Sequence, residues 1–291
     1  MKEDDLYRQT SQFRLWSFTP TALQDLRRRT NSAAIEKISD LIREDGKETS
    51  GVDFLSWEEE LELVNFYVKK MNDIAGVFKL PSSIKTENYY IPLEKFVSTI
   101  PKTTVDDIIP LELPVSQSLK FCFSVHHPYR PLHGFYLDMQ AVLPNYEKDR
   151  LGKLIGDARN EIGDSLYGDS MFLYTPSQIS LACLRSINSS IIQLYIQQKI
   201  TDDALRERLL NEISAAQKLI KDFKFPSKER VVEIDKKRYY CQNPERNPNS
   251  QVFKKRKQQE ENGELEKANK KAKMAEQREK EAESFLGPCV K

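Results

Sequence analysis

The chain has 291 residues, enough for one large domain or two ordinary ones, with 39% hydrophobic and 31% charged residues. Its 45 basic and 44 acidic residues leave a net charge of +1, which argues against a dominant nucleic-acid or anionic-membrane surface. Ten glycines leave little for phosphate-cradling loops, and four dispersed cysteines with three histidines are poor material for a zinc site. There is no run of 18 apolar residues, and MKEDD opens the chain without a hydrophobic signal region. The expectation is a soluble, helical protein of a reducing compartment, without metal, Rossmann or P-loop machinery.

Thr19-Pro20 joins an N-cap to a first-turn proline, and Leu23, Leu26, Ala34, Ile35, Ile38, Leu41 and Ile42 then recur at helical spacing up to the loop chemistry of Gly46 to Gly51. Ser56-Trp57-Glu58-Glu59 is a capping box. Behind it Trp57, Leu61, Val64, Val68, Met71, Ala75 and Phe78 form one apolar stripe, the clearest helix in the chain. From Pro81 to Val125 the signal weakens. Pro92 to Ile100 fits a short helix, and Thr104 opens another. Pro110 and Pro114 each remove a backbone donor there, so this helix is expected to be kinked or broken, and regular only from about Val115 to Phe123.

After the turn His126-His127-Pro128-Tyr129-Arg130-Pro131 the helical pattern returns. Leu132, Phe135, Met139 and Val142 mark one helix, and Leu151, Leu154, Ile155, Ala158, Ile162 and Leu166 the next. Thr175-Pro176-Ser177-Gln178 combines a capping box with a first-turn proline and opens the apolar stretch Ile179 to Leu184. Ile191 to Ile196 and Leu205 to Phe223 complete five helices, and Pro226 to Tyr240 is a final amphipathic one. No strand is predicted; the class is all-α. His126 and His127 read as turn residues rather than a catalytic or metal pair, Cys122 and Cys183 as small hydrophobes on apolar helices, and Trp16 and Trp57 as anchors.

The tail differs. From Lys254 to Glu283 there are ten basic and eight acidic residues among thirty, and the only large apolar side chains are Leu265 and Met274. Such a segment buries too little to offset its ordering entropy, and reads as disordered or as a solvated helix. Lys254-Lys255-Arg256-Lys257 and Lys270-Lys271-Ala272-Lys273 are two basic clusters in it, readable as solvated charge or as a nuclear import signal.

Several segments resemble the cyclin H family. Ser11-Gln12 with Trp16 and Phe18 is similar to its N-terminal entry, and SWEEELELVNFYVKKMNDIAGVF (Ser56 to Phe78) to the first helix of its first cyclin box. VHHPYRPLHGF (Val125 to Phe135) is similar to the link between its boxes, LYTPSQISL (Leu173 to Leu181) to the third helix of its second box, and the tail clusters fall where the family carries similar ones. The implied architecture is two tandem five-helix repeats: an N-terminal extension and helix over 1–55, a first cyclin box over 56–125, a second over 126–225, a C-terminal helix and linker over 226–253, and the charged tail over 254–291. The first box is expected to be incomplete. Pro131 to Phe225 offers 95 residues, but Trp57 to Val125 only 69. Five helices of roughly 12 residues with loops of about 4 need about 76. Roughly two helices are missing after Phe78, as a shortened splice product or a gene-prediction error would leave it.

The resemblance implies a regulatory subunit, not an enzyme, with no catalytic residue, cofactor or metal. Its partners would be a cyclin-dependent kinase, the RING-finger assembly factor of the CDK-activating kinase, and general transcription factor IIH in the nucleus; no membrane and no direct nucleic-acid contact are expected. Lys85 and Glu112 match the lysine and glutamate through which cyclins make polar contacts with the kinase and hold its regulatory helix inward. Lys254, Lys255, Arg256, Lys257, Lys270, Lys271 and Lys273 match the import candidates. The alternative is a shortened, non-activating isoform that acts as a helical binding module.

Overall fold

The computed structural model describes residues 6–49, 51–77, 92–98, 100, 103–144, 146–240 and 243–286, and among them the regular structure is entirely helical. In chain order the helices are α1 (Ser11–Trp16), α2 (Pro20–Glu44), α3 (Trp57–Val77), α4 (Leu93–Val97), α5 (Val105–Ser118), α6 (Tyr129–Val142) and α7 (Lys148–Ser165). Then come α8 (Ser170–Leu173), α9 (Pro176–Ile187), α10 (Ser189–Lys199), α11 (Asp203–Asp222), α12 (Lys228–Tyr240), a 3-10 turn (Pro244–Arg246) and α13 (Gln251–Leu286). They form two compact units: Met1–Asp25 with Leu61–Ser227, and Leu26–Glu60 with Lys228–Lys291.

The first unit is organised around α9. Thr175 caps it as the TPSQ pattern predicts: the Gln178 amide donates to Thr175 Oγ1 (3.3 Å) and the Thr175 amide to Gln178 Oε1 (2.9 Å). Pro176 sits in the first turn, where its missing donor costs nothing. Pro176, Ile179, Ser180, Leu181, Ala182, Cys183 and Leu184 are all buried, so α9 is enclosed on every side. It packs on α6, α7, α10 and α11, which contribute Leu132 and Met139, Leu151, Leu154, Ala158 and Ile162, Ile192 and Ile196, and Ile213 and Ala216. Burial pushes the Cys183 thiol up to about 12, as for an inert packed residue. The Ser180 hydroxyl donates to the Pro128 carbonyl (2.6 Å), which ties the interhelix link to the core. At the rim, Tyr195 of α10 donates to the Asp138 carboxylate of α6, and Lys199 pairs with the same group (2.8 Å). Gly168 adopts φ +70°, and the Phe223 ring fills the space a Cβ would need.

The N-terminal entry is fixed to this core. Gln12 is buried and its Oε1 accepts the His126 amide (2.6 Å), while the Phe18 amide donates to the Phe172 carbonyl (2.8 Å). The Lys120 ammonium lies over the Trp16 ring, 5.7 Å from its centroid.

Two expectations need correction. Helix α5 runs unbroken from Val105 to Ser118 through Pro110 and Pro114, and does not continue to Phe123. Asp107 Oδ2 accepts from the Thr104 amide (2.8 Å) and hydroxyl (2.7 Å) and secures the start. The carbonyls the prolines leave without a donor, on Asp106 and Pro110, belong to exposed residues where water can satisfy them. The end is set by Lys120 and Phe121, both left-handed (φ 51° and 55°), with the Phe121 amide donating to the Ser116 carbonyl (2.9 Å) in a Schellman-type closure. Cys122 therefore lies beyond the helix rather than on it. On α3, Val64, Val68 and Met71 of the apolar stripe are exposed, while Leu63 is buried. Short α8 was not predicted.

In the second unit, the Ser56 capping box forms as expected, with the Ser56 amide donating to Glu59 Oε2 (3.0 Å) and the Glu59 amide to Ser56 Oγ (3.3 Å). Glu59 also pairs with Lys237 (2.9 Å) and Arg230 (3.4 Å) of α12, and Asp53 reaches the same Lys237 (3.0 Å). Burial alone would push the Glu59 carboxyl up. The Lys237 hydrogen bond, the Ser56 amide and the charges of Lys237 and Arg230 outweigh it and hold the group below the usual carboxylate range. The tail is a continuous helix, α13, the second of the two forms expected for it.

Ile192→Ala should cost about 2–5 kcal/mol in urea unfolding, because the side chain is wholly buried; exposed Leu113→Ala should stay within about 0.5 kcal/mol. Glu59→Gln should cost about 1–3 kcal/mol at neutral pH. The depressed carboxyl stabilises the fold above its unfolded pKa and loses that effect as pH falls through the lower folded value. The gap between wild type and variant should therefore close below the usual glutamate range in a pH series of melts.

Candidate protein-docking site

Helix α5 begins with Asp106 and Asp107 in its first turn and carries Glu112 between its two prolines. None of its residues is buried. Ile109, Leu111, Leu113 and Val115 are each more than half exposed, and Leu119, Phe121, Phe123 and Val125 continue the exposed apolar run. A helix apolar on several sides is ordinarily a core element, and a monomer rarely leaves such a patch in water. Helix α3 adds Val64, Tyr67, Val68 and Met71, exposed at spacings of three and four residues. Its other side carries Asn72, which donates to the Tyr167 hydroxyl, and Lys69, whose ammonium lies 4.7 Å from the Phe225 ring centroid.

Of the two residues singled out for kinase contact, Glu112 is an exposed acidic group between the apolar residues Leu111 and Leu113. Lys85 lies outside the described residues, as does the stretch after Phe78 where helices were expected to be missing. Between Trp57 and Val125 the described residues form α3, α4 and α5, of 21, 5 and 14 residues. The import candidates Lys254, Lys255, Arg256, Lys257, Lys270, Lys271 and Lys273 all lie on α13 and are all exposed. The structure brings them onto one helix, on which Arg256 pairs with Glu260 (3.0 Å) and Lys257 with Glu261 (3.9 Å).

Sequence reasoning missed what holds the start of α13. Ser250 is buried, donates to the Pro244 carbonyl (2.7 Å) and accepts the Phe253 amide (3.0 Å). The Gln251 amide donates to Asp45 Oδ1 (2.6 Å), and Asp45 is itself paired with Lys47 (3.0 Å). A serine just before Val252 and Phe253 was the available N-cap signal; nothing local points to Asp45. Among the described residues no group of His, Cys, Asp and Glu is placed to hold a metal ion, and no helix is long and apolar enough to cross a membrane.

Four helices enclosing a central buried fifth, after a link pinned to that helix, define a cyclin-type repeat. The cyclin C-terminal domain family matches residues 127–221. The cyclin mcs2 of Schizosaccharomyces pombe is 31% identical over 302 aligned positions, covering 88% of this chain and 92% of its own. In the cryo-electron-microscopy structure of the yeast TFIIK (Kin28/Ccl1/Tfb3) complex, a chain wholly covered by the match is 30% identical over 74% of this one, with a TM-score of 0.59. A chain of the Chaetomium thermophilum CAK complex bound to ATP-γ-S shares the fold at TM-score 0.77 and 24% identity, over 90% of this chain and 96% of its own. Cyclin CCL1 of Saccharomyces cerevisiae is 33% identical, and this chain spans 62% of its length. Further relatives carry the name cyclin-H, in Dictyostelium discoideum and Xenopus laevis. The chain belongs to the cyclin family, in its cyclin H branch. The alignment with mcs2 uses 88% of this chain yet runs longer than all of its 291 residues, so that relative carries stretches this chain lacks.

Proposed function

We propose that this chain is the regulatory subunit of a CDK-activating kinase, working in the nucleus with a cyclin-dependent kinase and a RING-finger assembly factor within transcription factor IIH. The observation that carries the reading is the enclosed α9 repeat in a chain that aligns with 92% of a cyclin. The partners follow from the complexes in which its structural relatives sit, the CAK complex and Kin28/Ccl1/Tfb3. The chain performs no chemistry itself. It stabilises the conformation of its kinase in which the regulatory helix is held inward, and so favours phosphorylation of cyclin-dependent kinases and of the RNA polymerase II tail. The docking surface is α5, with Glu112 and Lys85 as its polar contacts and the exposed apolar run as its area.

A second reading is favoured by that same exposure. With α3 and α5 uncovered, the chain acts as a shortened form that engages partners through its second repeat without switching the kinase on. Co-purification with the kinase, followed by its activity on a polymerase-tail peptide, separates the two. Under the first reading the complex is active, and Glu112→Ala weakens association about 10-fold or more. Under the second, the kinase co-purifies inactive and gains activity only when helices equivalent to those of mcs2 are inserted after Phe78. Failure to co-purify in both forms would overturn both.

A further inference from the structure

The two basic clusters of α13 stand in different mechanical situations, although their composition is nearly the same. Lys254, Lys255, Arg256 and Lys257 occupy the opening of the helix, directly after the Ser250 cap, and the Lys254 amide donates to the Ser250 carbonyl (3.2 Å). Ser250 is 2% exposed and bonded on both sides, to Pro244 and Phe253, and the next amide, of Gln251, is held by Asp45. Lys254 and Lys257 line a shallow depression with Pro248 and Phe253, and two of the four cations are paired one turn on with Glu260 and Glu261. Lys270, Lys271 and Lys273 lie at least sixteen positions along from Lys254, exposed. The Ser250 cap and the Asp45 carboxylate act on the first turn of the helix and do not reach them.

A receptor that reads a basic peptide through main-chain hydrogen bonds and side-chain pockets needs that peptide extended, at about 3.3 Å per residue rather than the helical 1.5 Å. Reading either cluster therefore requires local unwinding. A solvated helix with no packed face unwinds readily, because its stability comes only from propensity and exposed ion pairs. A helix start fastened by a buried cap and a carboxylate from another part of the chain does not.

We infer that the clusters are unequal import elements: an acidic-grooved import receptor reads Lys270-Lys271-Ala272-Lys273, while Lys254-Lys255-Arg256-Lys257 is masked by its anchored helical turn. Asp45 and Ser250 are the residues that mask it. The inference rests on the nuclear reading proposed above and deepens it.

The test is the binding of the purified full chain to a purified armadillo-repeat import adaptor, measured by calorimetry. The combined variant Lys270→Ala, Lys271→Ala, Lys273→Ala should bind at least 10-fold more weakly. Lys254→Ala, Lys255→Ala, Arg256→Ala, Lys257→Ala together should leave affinity within about 2-fold, the scatter of such measurements. Adding Asp45→Ala and Ser250→Ala to the first variant should restore binding, by releasing the first cluster. Circular dichroism and a thermal melt establish that this variant keeps its fold; if it does not, replacing Gln258 and Gln259 by glycine loosens the same turn without touching the anchor. Loss of binding with the first cluster alone, or no rescue on release, overturns the masking while leaving nuclear import intact. Binding that is insensitive to both clusters overturns the masking and the import reading together.

Discussion

The enclosure of α9 is the constraint on which the first unit depends. Seven of its residues from Pro176 to Leu184 are buried, and α6, α7, α10 and α11 all pack against it. A fully buried Ile or Leu contributes about 1.5–3 kcal/mol, so the residues around Ile179 and Leu184 outweigh any exposed ion pair in the molecule. The cap at Thr175 and the Ser180 bond to Pro128 fix where this helix starts and where the preceding link passes. Through the same link, Gln12 fixes the N-terminal entry.

No comparable centre exists among the described residues before the link. The continuous core runs from Leu132 to Ala216 and includes nothing from α3, α4 or α5. The consequences are visible on the surface. The α3 stripe that would ordinarily face a central helix lies open at Val64, Val68 and Met71, and α5 carries a core-like sequence without burying a residue. The second unit buries Ile42, Val231 and Ile234 and adds ion pairs: Glu59 gathers Lys237 and Arg230 from α12, and Asp45 holds the start of α13.

Much of this was legible in the sequence because it is written locally. The capping boxes at Ser56 and Thr175, the first-turn prolines Pro20 and Pro176, and the three-and-four spacing from Leu132 to Leu166 each place a helix with a few neighbouring residues. The prolines of α5 misled. Their cost is large when the freed carbonyls are buried and small when water reaches them, and a sequence does not state which applies. The exposure of the α3 stripe was not legible for a related reason: periodicity says which face is apolar, not whether a partner covers it. Glu59 with Arg230, and Asp45 with Gln251, join residues 171 and 206 positions apart, beyond any local pattern. Of the candidate residues, Glu112 was read in a broken helix and lies on a continuous one, and the tail lysines were read without the anchoring of the first turn.

The repeat around α9 is fully built, while among the described residues α5 belongs to no buried core. Residue-resolved hydrogen exchange on the whole chain addresses it most directly. Amides of α9 and α10 should exchange only through global unfolding, and those of α5 several orders of magnitude faster, through local opening. Equal protection of α5 and α9 would contradict the account, since it would require a core that reaches Val105–Ser118.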